Sequence, residues 1–185
     1  MNIILTGPPG SGKSTQAKLL SEKLGLLRIA SGDISRQIAS EDTDEGRRVK
    51  EIINAGGLTP DDILFRRIRD IYETTDKGLL MDGYPRNEEQ IFLVEKMLAE
   101  KGQKVDRVVV IDLSEEEGLK RMLLRSQEEN RADDIEATIR ERFQIYFERT
   151  KPIVDYFEKL GLVVHVDGRP SIEEVQKQIN SFFPQ

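Results

Sequence analysis

The stretch GPPGSGKS, residues 7–14, matches the pattern G-x-x-x-x-G-K-[S/T], and its flanks decide what that match means. Before it, NIILT (2–6) reads as a buried strand. After it, a helix is expected from about Lys13 to Leu24, stopped by Gly25. A strand, a glycine-rich turn and a helix N-terminus together form a phosphate cradle. The glycines let the backbone curl until successive N–H groups face one anion. The helix adds the positive end of its dipole, and Lys13 supplies a charge that follows the β- and γ-phosphates. The stretch implies a bound nucleoside triphosphate. It leaves open whether water, a protein or a small molecule receives the phosphoryl group.

Working outward, LLRI and Ala30 (27–30) read as a second strand, 79–82 as a third, RVVVIDL (107–113) as a fourth and LVVHV (162–166) as a fifth. The fourth is an almost unbroken apolar run, as a parallel strand covered on both faces requires. Helices alternate with these strands. One opens at Thr59-Pro60-Asp61-Asp62, with Thr59 as cap, proline at the first position and acids in the first turn. Another spans 87–101 and closes at Gly102. Ser114-x-x-Glu117 and Ser171-x-x-Glu174 read as capping boxes. A long helix is expected over 134–160, bent or split at Pro152, with Phe143, Tyr146, Phe147 and Ile153 as a core-packing stripe. The pattern is an α/β fold with a five-stranded parallel sheet flanked by helices. Two segments stand out as insertions: 31–60, polar and built of two short helices, and 126–134, SQEENRADD.

Composition narrows the chemistry. The 185 residues fit one domain, 37% are hydrophobic, and the net charge of −6 argues against general affinity for nucleic acid or an anionic membrane. There is no cysteine, and His165 is the single histidine. Thiolate metal sites are therefore excluded, and a Ser-His-Asp triad would have to be built on His165. His165, inside an apolar strand, reads as a satisfied core or edge residue. The N-terminus lacks a signal-peptide pattern and no stretch approaches membrane-spanning length, so a reducing cytoplasm is the expectation.

Acids and arginines gather near predicted strand ends. Asp33 follows the second strand, with Arg36 one helical turn on. Asp82 ends the third strand, and Gly83-Tyr84-Pro85 leads to Arg86 and then Gln90. Ligands of open parallel sheets collect at the carboxyl ends of the strands, so Gly7, Asp33 and Asp82 should converge on one crevice. Acids at a phosphate site call for an intervening cation, which makes Asp33 and Asp82 candidate holders of hydrated Mg²⁺. Helix capping is the competing reading, even with the first for Asp33 and weaker for Asp82. Arg121 and Arg125 are four apart on one helical face. Arg131 and Arg142 share a face if their helix starts early, though solvated charge is the simpler reading of Arg142 by spacing alone.

These residues carry a resemblance. On GPPGSGKSTQ (7–16), SGDISR (31–36), DGYPRNEEQ (82–90), RMLLR (121–125), RADD (131–134) and TIRERFQIYFERTKPIVDYF (138–157), the chain resembles the adenylate kinases over essentially its whole length. The resemblance implies a single domain with core 1–30, 61–125 and 135–185, an acceptor-binding segment 31–60 and a short lid 126–134. It implies a P-loop NTPase-type fold, MgATP and AMP as substrates, ADP as product, Mg²⁺ as cofactor and a monomer. The ATP side would comprise Gly10, Ser11, Gly12, Lys13, Ser14, Thr15, Arg125 and Arg169, with Arg121 stacked on the adenine. The AMP side would comprise Ser31, Arg36, Gly57, Leu58, Thr59, Gly83, Tyr84, Pro85, Arg86, Gln90, Arg131 and Arg142. Lys13, Arg86, Arg125, Arg131 and Arg142 would act on the transferring group, and Asp33, Asp82 and Ser14 on the metal. Two features depart from the family pattern or select within it. Ser14 stands where members usually have glycine, and the lid is of the short, metal-free type. The related UMP/CMP kinases tend to have alanine and asparagine where this chain has Ser31 and Gln90. A non-catalytic ATP-binding protein would not need the acceptor-side arginines. A GTPase would need an N-K-x-D motif, which the chain lacks.

Overall fold

The computed structural model describes residues 1–129 and 135–183. Five parallel strands, β1 (Ile3–Thr6), β2 (Leu27–Ala30), β3 (Leu79–Asp82), β4 (Arg107–Asp112) and β5 (Val163–Asp167), form one sheet in the order β2-β3-β1-β4-β5. Strand residues alternate between two apolar layers. Ile3, Leu5, Leu80, Val109 and Ile111 pack against α1 (Lys13–Leu24) and α9 (Ile172–Ser181) through Ala17, Leu20, Val175 and Ile179. Ile4, Met81, Val108 and Val110 face the opposite layer. That layer is made by α2 (Ser31–Ala39), α3 (Asp44–Asn54), α4 (Asp61–Glu73), α5 (Glu88–Ala99) and α8 (Lys151–Lys159). Burial on both faces is why these strands read as continuous apolar runs. Among the described residues no helix is long and apolar enough to cross a membrane.

The chain runs from β1 out to β2, back to β3, and then across to β4. Strand order therefore reverses beside β1, and the crevice at its carboxyl end is where an open sheet collects ligands. Register brings Asp82 level with both Leu5 and Ala30, so the acid sits directly beside the start of the glycine-rich turn.

Several local expectations change. Pro60, not Thr59, occupies the cap position of α4, because the Thr59 hydroxyl turns inward and donates to Ser35 Oγ at 2.7 Å. Ser114 caps α6 (Glu115–Glu129) by accepting from the Glu117 N–H at 3.3 Å, but Glu117 turns its carboxylate to Arg121 instead of closing a capping box. Ser171 and Glu174 do form the reciprocal box at α9. Residues 126–129 of the expected lid continue α6 as helix, and the rest of that segment lies outside the described residues. The long C-terminal helix is split into α7 (Glu136–Ile145) and α8 by a π-turn, Tyr146–Thr150, in which the Lys151 N–H reaches back five residues to the Tyr146 carbonyl. Pro152 follows at once. It has no N–H to continue the ladder, and its ring would meet the carbonyl four residues back. The wider turn changes the helix phase, so Phe143 and Ile153 are buried while Phe147 is 45% exposed and drops out of the expected core stripe.

Candidate active site

The phosphate loop is shaped by close backbone approach. A Cβ at Gly10 would lie 2.5 Å from the Gly118 carbonyl oxygen, and one at Gly118 would lie 2.5 Å from the Pro9 carbonyl oxygen. Helix α6 thus packs backbone to backbone against the loop. Gly12, in the left-handed region at φ 81°, hands the chain to α1 without a side-chain cap, leaving the first N–H groups of that helix to an anion.

A cavity of about 270 Å³ opens between this loop and the 31–60 segment. Gly10, Lys13 and Ser14 line one end. Ser31, Asp33, Arg36, Gly57, Leu58, Thr59, Asp82, Gly83, Arg86, Gln90, Arg125 and Arg142 line the rest. Most of the site expected from sequence is therefore brought together. Ser11 is buried behind the loop, and Thr15 is exposed on α1. Tyr84 is buried beneath the cavity, joined to Pro85 by a cis peptide bond. Arg121 and Arg169 lie together to one side, where Arg121 donates to the Gly168 and Arg169 carbonyls at 2.8 and 3.0 Å. Arg131 lies outside the described residues, and α7 begins at Glu136, so α7 does not supply the shared face expected for Arg131 and Arg142. A wider groove of about 740 Å³ between α8 and the ends of β4 and β5 includes, of the expected nucleotide-binding residues among those described, only Arg169.

The cations are crowded. The half-buried Lys13 rests its ammonium 3.4 Å from the Pro8 carbonyl. Desolvation, then repulsion from Arg86, Arg125 and Arg142, pushes its pKa down to about 8, against the pull of Asp82. Arg86 is also shifted down, by burial and by Arg142 and Arg36, with Asp82 opposing. Its guanidinium donates to the Gly83 carbonyl at 2.6 Å and to Ser31 Oγ at 3.1 Å, while the Ser31 hydroxyl donates to that same carbonyl at 2.7 Å. Ser31 thus braces the turn that aims Arg86. A set of like charges held this close together is built for polyphosphate.

Neither candidate metal acid caps a helix. Asp33 lies inside α2, whose cap position is Ala30 without a side-chain hydrogen bond, and Asp82 ends β3. Both instead meet a residue that sequence reading missed. Arg28, on β2, donates to Asp82 Oδ2 at 2.5 Å and to Asp33 Oδ2 at 3.5 Å, and Arg36 holds the other oxygen of Asp33. The composition of β2 offered a clue: Arg28 interrupts an otherwise apolar strand, Leu27–Ala30. Asp61, which binds the Gln90 amide, was also missed, because its place in the chain marks it only as a first-turn helix acid.

A parallel sheet with one phosphate cradle defines a P-loop nucleotide-binding protein. A second set of basic side chains, Arg36, Arg86 and Arg142, lining the same cavity fits a phosphotransferase whose acceptor is itself phosphorylated. The adenylate kinase model matches residues 5–162, and the chain belongs to the adenylate kinase family. It is similar to an adenylate kinase of Thermobifida fusca, 40% identical over 180 residues, covering 96% of this chain and 95% of the relative. It is also similar to one of Thermus thermophilus, 38% identical over 179 residues (97% and 95%), and to one of Archaeoglobus fulgidus, 35% identical over 210 residues (98% and 97%).

Proposed function

We propose that the chain transfers the γ-phosphoryl group of MgATP reversibly to AMP, giving two ADP. The observation that carries this reading is that Lys13 and Arg86 line the same cavity, one on the donor loop and one on the acceptor turn. The bond between the γ-phosphorus and the β,γ-bridging oxygen breaks, and a bond forms from an AMP phosphate oxygen to that phosphorus. Such transfer is chiefly positioning and charge stabilisation, so no protein nucleophile is needed. Lys13, Arg125, Arg131 and Arg142 neutralise the transferring group. Arg36, Arg86 and Arg142 hold the AMP phosphate through guanidinium forks. Arg121 and Arg169 flank the donor base, and Gly57, Leu58, Thr59 and Gln90 surround the acceptor base.

Arg28 already stands between Asp33 and Asp82, so these acids and the Ser14 hydroxyl, all hard oxygen donors, would hold Mg²⁺ through its water shell and not by direct ligation. Among the described residues no group of three or more acidic or histidine ligands is gathered to cage a metal, as fits an ion retained by nucleotide phosphates. When bound, Mg²⁺ would offset charge on the β- and γ-phosphates. The 31–60 segment and the 126–134 lid close over the nucleotides and keep water from competing as acceptor. The protein works as a cytoplasmic monomer.

Incubation of the purified protein with MgATP and AMP, UMP, CMP or GMP, with an acceptor-free control, tests the reading by chromatography of the nucleoside diphosphates. Rapid Mg²⁺-dependent ADP formation with AMP is expected. Product only with UMP or CMP would overturn the acceptor, and product in none would overturn the enzyme.

A further inference from the structure

A closed ring of hydrogen bonds fixes one side-chain amide at the acceptor end of the cavity. Gln90 Nε2 donates to Asp61 Oδ1 at 2.6 Å, and Gln90 Oε1 accepts from the Arg86 N–H at 2.6 Å. Asp61 Oδ2 accepts from Asn87 Nδ2 at 2.8 Å, and Asn87 Oδ1 accepts from the Gln90 N–H at 2.8 Å. An ionised carboxylate only accepts and a backbone N–H only donates. Between them the Gln90 amide has one satisfied orientation. Turned over, it would set its NH₂ against the Arg86 N–H and its oxygen against Asp61. Asn87 is fixed by the same logic, since its oxygen caps α5.

The orientation matters for what the amide reads. After these bonds Gln90 retains one N–H and one oxygen lone pair. Adenine presents a donor at N6 beside an acceptor at N1. A 6-oxopurine presents the reverse, an acceptor at O6 beside a donor at N1. A freely turning amide pairs with either, and a locked one pairs with one and opposes the other. We propose that Asp61 is a positioning residue for acceptor specificity, holding the Gln90 amide in the order that accepts adenine and rejects 6-oxopurines. This rests on Gln90 facing the acceptor base.

The test compares AMP with IMP, which differ at this edge, as acceptors for the full-length protein with MgATP. Asp61→Asn is isosteric, but it faces two donors, Gln90 Nε2 and Asn87 Nδ2, with a single oxygen. Only one of the two donors then keeps an acceptor, and Asp61→Ala, which takes the acceptor from both, releases the Gln90 amide in either case. The ratio of kcat/KM for AMP over IMP should fall at least about fivefold, the worth of roughly one hydrogen bond. The fall should come through a raised KM for AMP, with KM for ATP unchanged. A merely structural role for Asp61 would lower the melting temperature without moving that ratio. Should Asp61→Asn fail to fold, Asp61→Ala carries the same expectation. Gln90→Leu, measured alongside, separates the two premises. If it keeps the wild-type ratio, the base is read elsewhere and the proposal falls with that reading. If it loses the ratio while the Asp61 variants keep it, the role of Asp61 alone is overturned.

Discussion

Lys13 holds its proton less firmly than an ordinary lysine, and the direction of that shift has consequences for both binding and stability. With a folded pKa of about 8, the free protein loses this charge above that pH. The kcat/KM for MgATP, which reports the free enzyme, should show a basic limb near pH 8. A bound triphosphate pulls the pKa back up, so the limb in kcat should lie at higher pH. Coincident limbs would assign the titration to another group. The linkage runs the other way for stability. From about pH 8 to its ordinary value the unfolded chain binds more protons at Lys13, so its contribution to stability of the nucleotide-free protein rises with pH. Tyr84 offers a second residue-level prediction. Its ring is fully buried, its hydroxyl has no hydrogen-bond partner among the described residues, and burial raises its pKa, with Asp61 adding to the rise. Tyr84→Phe should therefore be neutral or stabilising by about 1 kcal/mol in denaturant titration. The phosphate loop and the arginine-bearing turns were legible in the sequence because each is encoded within a few neighbouring residues. Arg28 and Asp61 were not, because their partners lie 54 and 29 residues away.

At the level of elements, helix starts and stops were largely readable, since caps and glycines act locally. The π-turn was not, because Pro152 requires a break without dictating its form. The approach of α6 to the phosphate loop was equally hidden. Gly118 reads as an ordinary helix residue, yet an added Cβ would meet the Pro9 carbonyl oxygen at 2.5 Å and Phe143 Cζ at 2.6 Å. Neither the backbone of the loop nor the Phe143 ring, 1% exposed, has room to yield. Gly118→Ala should cost about 1–3 kcal/mol and raise KM for ATP more than KM for AMP, as steady-state kinetics and thermal melts would show. A second joint ties β4, β5 and α8. His165 Nδ1 lies 2.8 Å from Asp112 Oδ2 and its Nε2 lies 3.0 Å from Glu158 Oε1, on a ring that is 45% exposed. A neutral imidazole has one N–H, so only the protonated ring serves both carboxylates. These bonds raise its pKa although desolvation, the largest single influence, opposes them. The stabilisation is complete below the unfolded value and is lost as pH rises through the higher folded value. His165→Gln should lower the melting temperature at pH 5.5 and have no effect at pH 8.5. The difference should stay below about 1 kcal/mol, because the pair is solvent-screened.

Across the whole molecule, a chain of net charge −6 gathers five cations, Lys13, Arg36, Arg86, Arg125 and Arg142, around one cavity. Asp82 opposes the repulsion among them, and a bound phosphate relieves it further, which makes the folded state a strong receiver of phosphate. Ligand binding should accordingly appear as stability. At 100 times its Kd a ligand adds about 2.7 kcal/mol, which for a domain of this size corresponds to roughly 5–10 °C in melting temperature. AMP alone and a non-hydrolysable ATP analogue alone should each raise the melting temperature on that scale, and both together should raise it further. Arg86→Ala then separates the two ends. It removes the acceptor-side fork, so the shift with AMP should largely vanish while most of the shift with the ATP analogue survives. The same variant should lose activity by about 10²-fold or more, as for removal of a preorganised charge at the reacting group. If AMP still stabilised Arg86→Ala as it does the native protein, the acceptor phosphate would be held by the remaining arginines. The role of Arg86 would then be confined to the transferring group.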